Sequence, residues 1–486
     1  MIMRRTLLLL AVSLPLFAGM KNLTLNQAIT MLKKDNLELK ISRFNEQMKA
    51  YEVKAVKAIS YGKMDVTLTG MRSNDAGNVF GFKLQSREAN FGDFGADEFM
   101  NNAGACQGGN MQACRDMYNK PPNNLNYPEA RNHFQTKFSY MLPLYTGGKL
   151  TEYEHITQSL YRMSQYDTQK LLNEKIFQTK KAFYDISLVE HYIFNLHKII
   201  RNIGKLESIV RTMQKEGYAQ EIDLLEVQAR RAEAQSMYNQ AKLNKDLAYQ
   251  FLSFLLNKDV SSIKRMNDMA PMPHVSRGAL EARNIDIRKA RLGLEISKMA
   301  VEAERGNFLP EIGAFAEYGS ADNTLFDNFT GKDAYTIGFQ AKWNIFNGGA
   351  DDANLEKAKV NYLKVQDQVR LAKRGIALKA KKLKTEVLSA NADIRNYKKQ
   401  WKFAKKVYEN YSTRYKEGMV SISDVLIKQS KELEVLLKLL TAKNKRNTKI
   451  FELENLLNKE GKGSIFNVEK IPVKSETNTT TIAKRN

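Results

Sequence analysis

The chain has 486 residues, and its 76 Lys and Arg outnumber its 53 Asp and Glu, which gives a formal net charge of +23. A mean hydropathy of −0.47 excludes a polytopic helical membrane protein, which needs several apolar segments of about 20 residues. Two cysteines exclude a disulfide-dense scaffold and a Cys-based zinc or iron–sulfur protein. Only 9 prolines favour long uninterrupted helices.

The first residues have the pattern of a secretory signal peptide. Two arginines precede a mainly apolar run over 7–19 that ends in small residues. This run is too short to be a permanent membrane span. We therefore expect a signal peptide over 1–18, and a cytosolic N-terminal helix is the alternative.

The chain contains an internal repeat at a constant offset. The motif LPLYTGG ending at Gly148 recurs as WNIFNGG ending at Gly349, an offset of 349 − 148 = 201. The tripeptide Lys-Glu-Gly ending at Gly217 recurs at the same offset, ending at Gly418. A constant offset over more than 100 positions indicates two tandem copies of one structural unit.

A further repeated stretch lies upstream. Residues from Asn36 resemble those from Asn284 at an offset of 284 − 36 = 248, so the first copy carries an insertion of 248 − 201 = 47 residues. The predicted organisation is a signal peptide over 1–18, a first repeat over 19–257, an equatorial connector over 258–274, a second repeat over 275–458 and a polar C-terminal tail over 459–486.

Within each copy the apolar period changes from helical to alternating. Alternation predicts four strands, at about 62–71, 133–145, 311–319 and 335–346. Each strand is mainly apolar and aromatic on one side and polar on the other. This pattern matches outer-membrane β-strands, which face lipid on one side and a wet lumen on the other. A half-buried soluble sheet is the alternative.

Each Gly-Gly motif is followed by a long helical pattern without proline, and apolar residues within it recur at steps of three and four, as in a heptad seam. Gly217 and Gly418 then predict left-handed helix ends. The predicted hairpins consist of long helices over 149–215 and 350–416, tips over 216–222 and 417–423, and return helices over 223–257 and 424–458.

Four membrane strands cannot close a barrel, and open strand edges are not tolerated in lipid. Several chains must therefore share one barrel, and three chains would supply about 12 strands, which is wide enough for a lumen.

Together these features resemble the TolC-type outer-membrane efflux and secretion channels, over 23–458. The resemblance implies an α+β membrane protein whose helical hairpins build a periplasmic α-barrel and whose strands build a shared 12-stranded β-barrel in a homotrimer. It implies a passive exit duct in the outer membrane that extends into the periplasm and performs no chemistry. Its implied partners are a periplasmic adaptor (membrane fusion) protein and the inner-membrane transporter of a tripartite efflux pump or type I secretion system, which exports drugs, metals or proteins.

The resemblance also assigns roles at the hairpin tips. An aliphatic residue usually follows the tip glycine in this family, and Tyr218 departs from that pattern. The residues at the adaptor-contact positions are Gly217, Tyr218, Ala219, Gly418, Met419 and Val420.

A second group of tip residues is implied to constrict or gate the pore. Asp424 stands where some family members place a ring of carboxylates, while the position of a second acid is occupied by Ile427. Asp223 and Tyr415 fall at positions that can pair to hold the tip closed. The alternative for both aspartates is a helix N-cap, and the two roles are compatible.

Other candidates for chemistry are weak. Cys106 and Cys114 lie in the loop over 72–132, where an oxidising exterior favours a local disulfide and two free thiols are the alternative. The five histidines include no HExxH motif, and Gly147-Gly148-Lys149 lacks the spacing of a phosphate loop. We expect no catalytic residue, cofactor or metal site.

The remaining alternative function is a secreted basic coiled-coil protein that binds nucleic acid or an anionic polymer. The basic surplus is concentrated at 370–416, which has 15 basic and 3 acidic residues. Such a protein has no use for four lipid-patterned strands, so we expect no nucleic-acid partner. The sequence leaves open whether this basic surface lines the duct or faces outward.

Overall fold

The computed structural model of the chain describes residues 19–266, 269–325 and 329–458. The expected signal peptide (1–18) and polar tail (459–486) lie outside the described residues. The chain forms two units. One comprises residues up to Lys49, 160–294 and residues from Lys364, and the other comprises 50–159 and 295–363.

The chain is mainly helical, with four strands. In chain order the elements are α1 (Leu25–Asp35), α2 (Leu37–Ile59), β1 (Lys63–Ser73), α3 (Ala76–Gln85), α4 (Ala96–Gln107), α5 (Met111–Asn119), α6 (Asn123–Asn126), β2 (Arg131–Thr146), α7 (Lys149–Lys215), α8 (Glu221–Leu256), α9 (Arg277–Arg283), α10 (Ile285–Arg305), β3 (Glu311–Asp322), β4 (Asp333–Lys342), α11 (Ala350–Lys416) and α12 (Ile422–Leu456). In the described part of the chain, no helix is both long and apolar enough to cross a bilayer.

The first unit is helical, and one of its cores forms where α1 meets α7 and α8. A capping box starts α1, because the Thr24 hydroxyl accepts from the Gln27 N–H at 3.3 Å and the Gln27 side chain accepts from the Thr24 N–H at 3.0 Å. The apolar side of α1 is then buried. The buried cluster comprises Leu23, Ala28, Leu32, Leu39, Ile176, Ala182, Phe183, Ile186, Leu252, Leu255, Leu256, Val260 and Ile263.

The second unit contains an antiparallel sheet with the strand order β1-β2-β3-β4. Strands β1 and β4 are its edges. The fourth strand ends at Lys342, so the prediction that it continues to 346 is wrong. Lys342 pairs with Glu311, the first residue of β3. The preceding Pro310 has no N–H to donate, so the ladder stops there.

The insertion of the first copy is folded, whereas the sequence predicted a loop over 72–132. Helices α3 to α6 lie within it, and Cys106 on α4 forms a disulfide with Cys114 on α5. Local caps explain the short helices. For example, the Asn110 side chain accepts from the N–H groups of Gln112 and Ala113 at 3.0 and 3.2 Å at the start of α5.

The insertion is anchored to the end of the sheet by an ion-pair network. Glu88 pairs with Arg131 at the start of β2 and, at 2.5 Å, with Lys332 before β4. Lys332 also pairs with Asp322 at the end of β3, at 2.7 Å. Because one lysine links two carboxylates from different segments, the insertion is held against the β3–β4 connection.

Candidate functional site

Both long helices end in the same glycine turn. At the end of α7 the Tyr218 N–H donates to the Met213 carbonyl at 2.7 Å, and the Gly217 N–H donates to the Gln214 carbonyl at 3.1 Å. Gly217 has a φ of +77°. This is a Schellman motif, in which a left-handed glycine reverses the chain. The end of α11 repeats it at Gly418, whose φ is +74°.

The return helices begin two residues before the positions predicted from the aspartates. The N-caps are Gln220 for α8 and Ser421 for α12, and the aspartates are the third helical residues. Asp223 accepts from the Gln220 N–H at 2.8 Å. Asp424 accepts from the Ser421 hydroxyl at 2.7 Å. The N-cap interpretation of both aspartates is therefore wrong, although each still satisfies donors at its helix start as the acidic member of a capping box.

An apolar cluster beneath the tips joins the two hairpins. It draws on α7, α8, α11 and α12, so the hairpins pack against each other rather than standing apart. Its buried residues are Ile199, Ile203, Leu206, Val210, Leu224, Val227, Ala234, Tyr408, Tyr415, Ile422, Val425 and Leu426. Burial of such a cluster stabilises the tips through the hydrophobic effect.

Tyr415, one of the three predicted gating residues, lies in this cluster. Burial raises the pKa of its phenol, and the negative charge of Asp223 raises that pKa further. The negative charge of Asp223 therefore disfavours ionisation of the Tyr415 phenol. The sequence suggested that Asp223 and Tyr415 pair. Among the described contacts, the Asp223 carboxylate instead accepts a hydrogen bond from the Gln220 N–H.

A contact that the sequence analysis missed joins the two tips directly. The Ser423 hydroxyl on α12 donates to the Glu226 carboxylate on α8 at 2.5 Å. The two residues are 197 positions apart. Their only signal in the sequence is that each lies in the first turns of a return helix, near the tip.

The six predicted adaptor-contact residues differ in exposure. Tyr218 and Met419 are 80% and 62% exposed. Ala219 and Val420 are half-buried and pack against the apolar cluster. The exposed tip surface is thus formed by the two glycine turns with Tyr218 and Met419, while the following residues hold the turns to the hairpins.

The sheet presents two chemically different faces. In one row across all four strands, Val66 is paired with Phe138, Phe138 with Tyr318, and Tyr318 with Tyr335. Residues adjacent to these in the strands face the other side of the sheet. A row on that side comprises Asp65, Ser139, Glu317 and Thr336. An apolar and aromatic face opposite a polar face is the pattern of a strand set between lipid and water.

Nothing in the described ranges indicates a metal centre, because no three His, Cys, Asp or Glu side chains there are grouped to bind an ion.

Duplicated helical hairpins and a two-faced sheet are the features expected of an outer-membrane channel protein. Residues 277–459 match the family model described as outer membrane efflux protein. The resemblance to TolC-type channels is therefore confirmed, and with it the outer-membrane localisation and the expectation of a passive channel protein that is not an enzyme. No curated protein matches the chain.

Solved structures of outer-membrane channels have the same fold. The Campylobacter jejuni CmeC outer membrane channel is 17% identical, with a TM-score of 0.72 over 89% of this chain and 85% of that one. The open state of the Neisseria gonorrhoeae MtrE outer membrane channel is 14% identical, with a TM-score of 0.70 over 89% of this chain and 88% of that one. Vibrio cholerae VceC is also 14% identical, with a TM-score of 0.70 over 89% of this chain and 96% of that one.

Proposed function

We propose that the chain is one subunit of a homotrimeric duct that carries cargo across the periplasm and the outer membrane. The observation that carries this proposal is the open, two-faced sheet. Strands β1 and β4 are edges of a four-stranded sheet. Unpaired backbone groups cannot remain in lipid, so neighbouring copies must pair with both edges. Three copies would then form a closed barrel of about 12 strands.

The helical hairpins would form the periplasmic part of the duct. Their turns expose Tyr218 and Met419, and an exposed aromatic residue and methionine on an ordered turn suit contact with a protein partner. We infer that this partner is the periplasmic adaptor, through which an inner-membrane transporter delivers cargo. The transporter would select the cargo, because the duct itself has no proposed catalytic group.

The proposal is tested by fractionation and cross-linking. The full-length protein is expected in the outer-membrane fraction, and a lysine-reactive cross-linker is expected to give a ladder that ends at the trimer. Recovery as a soluble protein, or a ladder that ends at the dimer, would contradict the duct.

The adaptor contact needs a separate experiment. Photo-cross-linkers placed at Tyr218 and Met419 in living cells are expected to capture an adaptor of the same export system. A photo-cross-linker at Phe194, which is exposed along α7, is the matched control and is expected to capture less adaptor. Equal capture at all three positions would contradict a contact centred on the tips.

A further inference from the structure

The two repeats are built alike down to single hydrogen bonds. The Asn36 side chain donates to the Leu255 carbonyl at 2.8 Å, and the Asn284 side chain donates to the Leu456 carbonyl at 3.0 Å. The donors are 248 positions apart and the acceptors 201 apart, which are the two offsets of the sequence repeat. A contact made by one repeat therefore predicts where the other repeat makes the corresponding contact.

The contact between α7 and the second repeat has no counterpart between α11 and the first repeat of the same chain. Helix α7 of the first repeat packs on the second repeat, where Lys170 pairs with Asp286 at 2.6 Å. The Asn455 side chain also donates to the α7 residue Glu174 at 3.1 Å. Residues of α7, α10, α11 and α12 line a shared groove at this place.

In the described part of the chain, the corresponding groove on the first repeat is contacted by one long helix only, α7, whose Lys175 pairs with Glu38 at 2.5 Å. It is lined by the start of α2 and the end of α8, with Leu37 and Phe254 among its apolar residues. Among the described residues that line it, none comes from α7 or α11. Phe254, the counterpart of Asn455, is 67% exposed. An exposed phenylalanine at this place is an unpartnered apolar surface.

Helix α11 carries the matching unpartnered surface. Leu371 is the counterpart of Lys170, and Leu378 is the counterpart of Phe177. The two leucine side chains are 71% and 69% exposed. Gly375 is the counterpart of Glu174 and has open space on its side-chain face. A small residue flanked by two leucines leaves room for a large ring from a neighbour.

We propose that α11 of one copy packs into the first-repeat groove of the next copy, with the phenylalanine ring at Phe254 seated over Gly375. This interface rests on the proposed trimer and specifies its register. Leu371 then lies opposite Glu38, at the place where the chain itself has the Lys170–Asp286 ion pair. The Glu38 carboxylate is already paired within the chain with Lys175 of α7, at 2.5 Å.

One pair of residues near this contact has opposite charges. Arg288 lies over the Tyr166 ring at 4.8 Å in the contact within the chain. Their counterparts in the contact between copies are Lys40 and Asp367, which have opposite charges. The contact uses different surfaces on the two copies, so it is heterologous and repeats around a ring.

Two differently tagged chains test this register. One carries Ile41→Cys and the other Gln368→Cys. These positions are the counterparts of Lys289 and Asp167, which form an ion pair within the chain. After co-expression, a short bismaleimide is expected to give a covalent dimer that carries both tags. The native cysteines are joined in a disulfide and do not react.

Two controls keep the result specific. Asp167→Cys with Lys289→Cys in one chain is expected to give an internal cross-link without a dimer. Phe194→Cys on one chain with Ile41→Cys on the other is expected to give neither product. A lysine-reactive trimer without the Ile41→Cys and Gln368→Cys product would overturn the register and leave the duct standing. Absence of any oligomer would overturn both.

A substitution gives a second measurement. Phe254→Asp places a charge in the interface and is expected to lower the trimer fraction at least about tenfold, because burial of an unpaired charge is unfavourable. Phe194→Asp is the matched control and is expected to leave the trimer unchanged. Equal trimer fractions for the two variants would overturn the proposed contact, and circular dichroism of the helices verifies that both are folded.

Discussion

Ser423 and Glu226 connect the two helical hairpins of the chain by a hydrogen bond of 2.5 Å between the serine hydroxyl and the glutamate carboxylate. The bond lies beside an apolar cluster to which all four hairpin helices contribute. The tips are therefore held together by a polar contact and by packing, and the polar contact can be removed without a change in the packing.

Ser423→Ala is expected to favour separation of the tips. A hydrogen bond to a charged group contributes about 1.5 kcal/mol, which is roughly a tenfold change in an equilibrium constant. The open probability of the channel in planar bilayers is expected to rise by about that factor. Ser423→Thr keeps the hydroxyl and is the matched control. The same open probability for alanine and serine would show that the bond does not restrain the tips.

Asp424 is expected to contribute to a constriction in the assembled duct. Three aspartates in a ring attract cations and narrow the pore. Asp424→Asn removes the charge and keeps an acceptor for the Ser421 donors, so it is expected to raise conductance and lower cation preference without unfolding the tip. Asp424→Ala is also expected to destabilise the start of α12, because it removes the acidic member of the capping box. Unchanged ion selectivity in the asparagine variant would leave Asp424 with a capping role alone.

The disulfide between Cys106 and Cys114 is expected to stabilise the insertion locally. The two residues are 8 positions apart. Closure of such a loop restricts the unfolded segment and contributes about 2.5 kcal/mol in the chain-entropy model. Reduction, or a Cys106→Ser and Cys114→Ser variant, is expected to make the insertion sensitive to protease while the trimer survives. Protection of the insertion under reducing conditions would contradict this.

Tyr408 is expected to make the hairpins sensitive to alkali. Burial and the nearby Glu432 carboxylate raise its pKa to about 12. The pKa in the unfolded chain is about 10. The neutral phenol is therefore favoured by folding, and this contribution is complete below about pH 10 and is lost as the pH rises through about 12.

The difference between the two pKa values corresponds to roughly 3 kcal/mol. Tyr408→Phe keeps the ring and removes the ionisable group, so the helical signal in circular dichroism is expected to persist to higher pH than in the parent. The same alkaline midpoint in both proteins would assign the transition to other groups.

The sequence alone predicted the features that depend on neighbouring residues. Gly217 and Gly418 end the long helices because only glycine adopts a positive φ without strain, and that property is visible in the residue type. The repeat offset and the strand alternation are likewise properties of the chain. A resemblance to one family followed from their order, and the family match over 277–459 agrees with it.

The tertiary structure decided what depends on distant residues. It made Gln220 and Ser421 the helix caps, although the sequence suggested the aspartates, because a cap depends on backbone geometry as well as on residue type. It folded the insertion into helices that are held by Glu88 and Lys332. It paired Ser423 with Glu226 across 197 positions. No local pattern encodes such a pair, because the two residues meet only after both hairpins have formed and packed together.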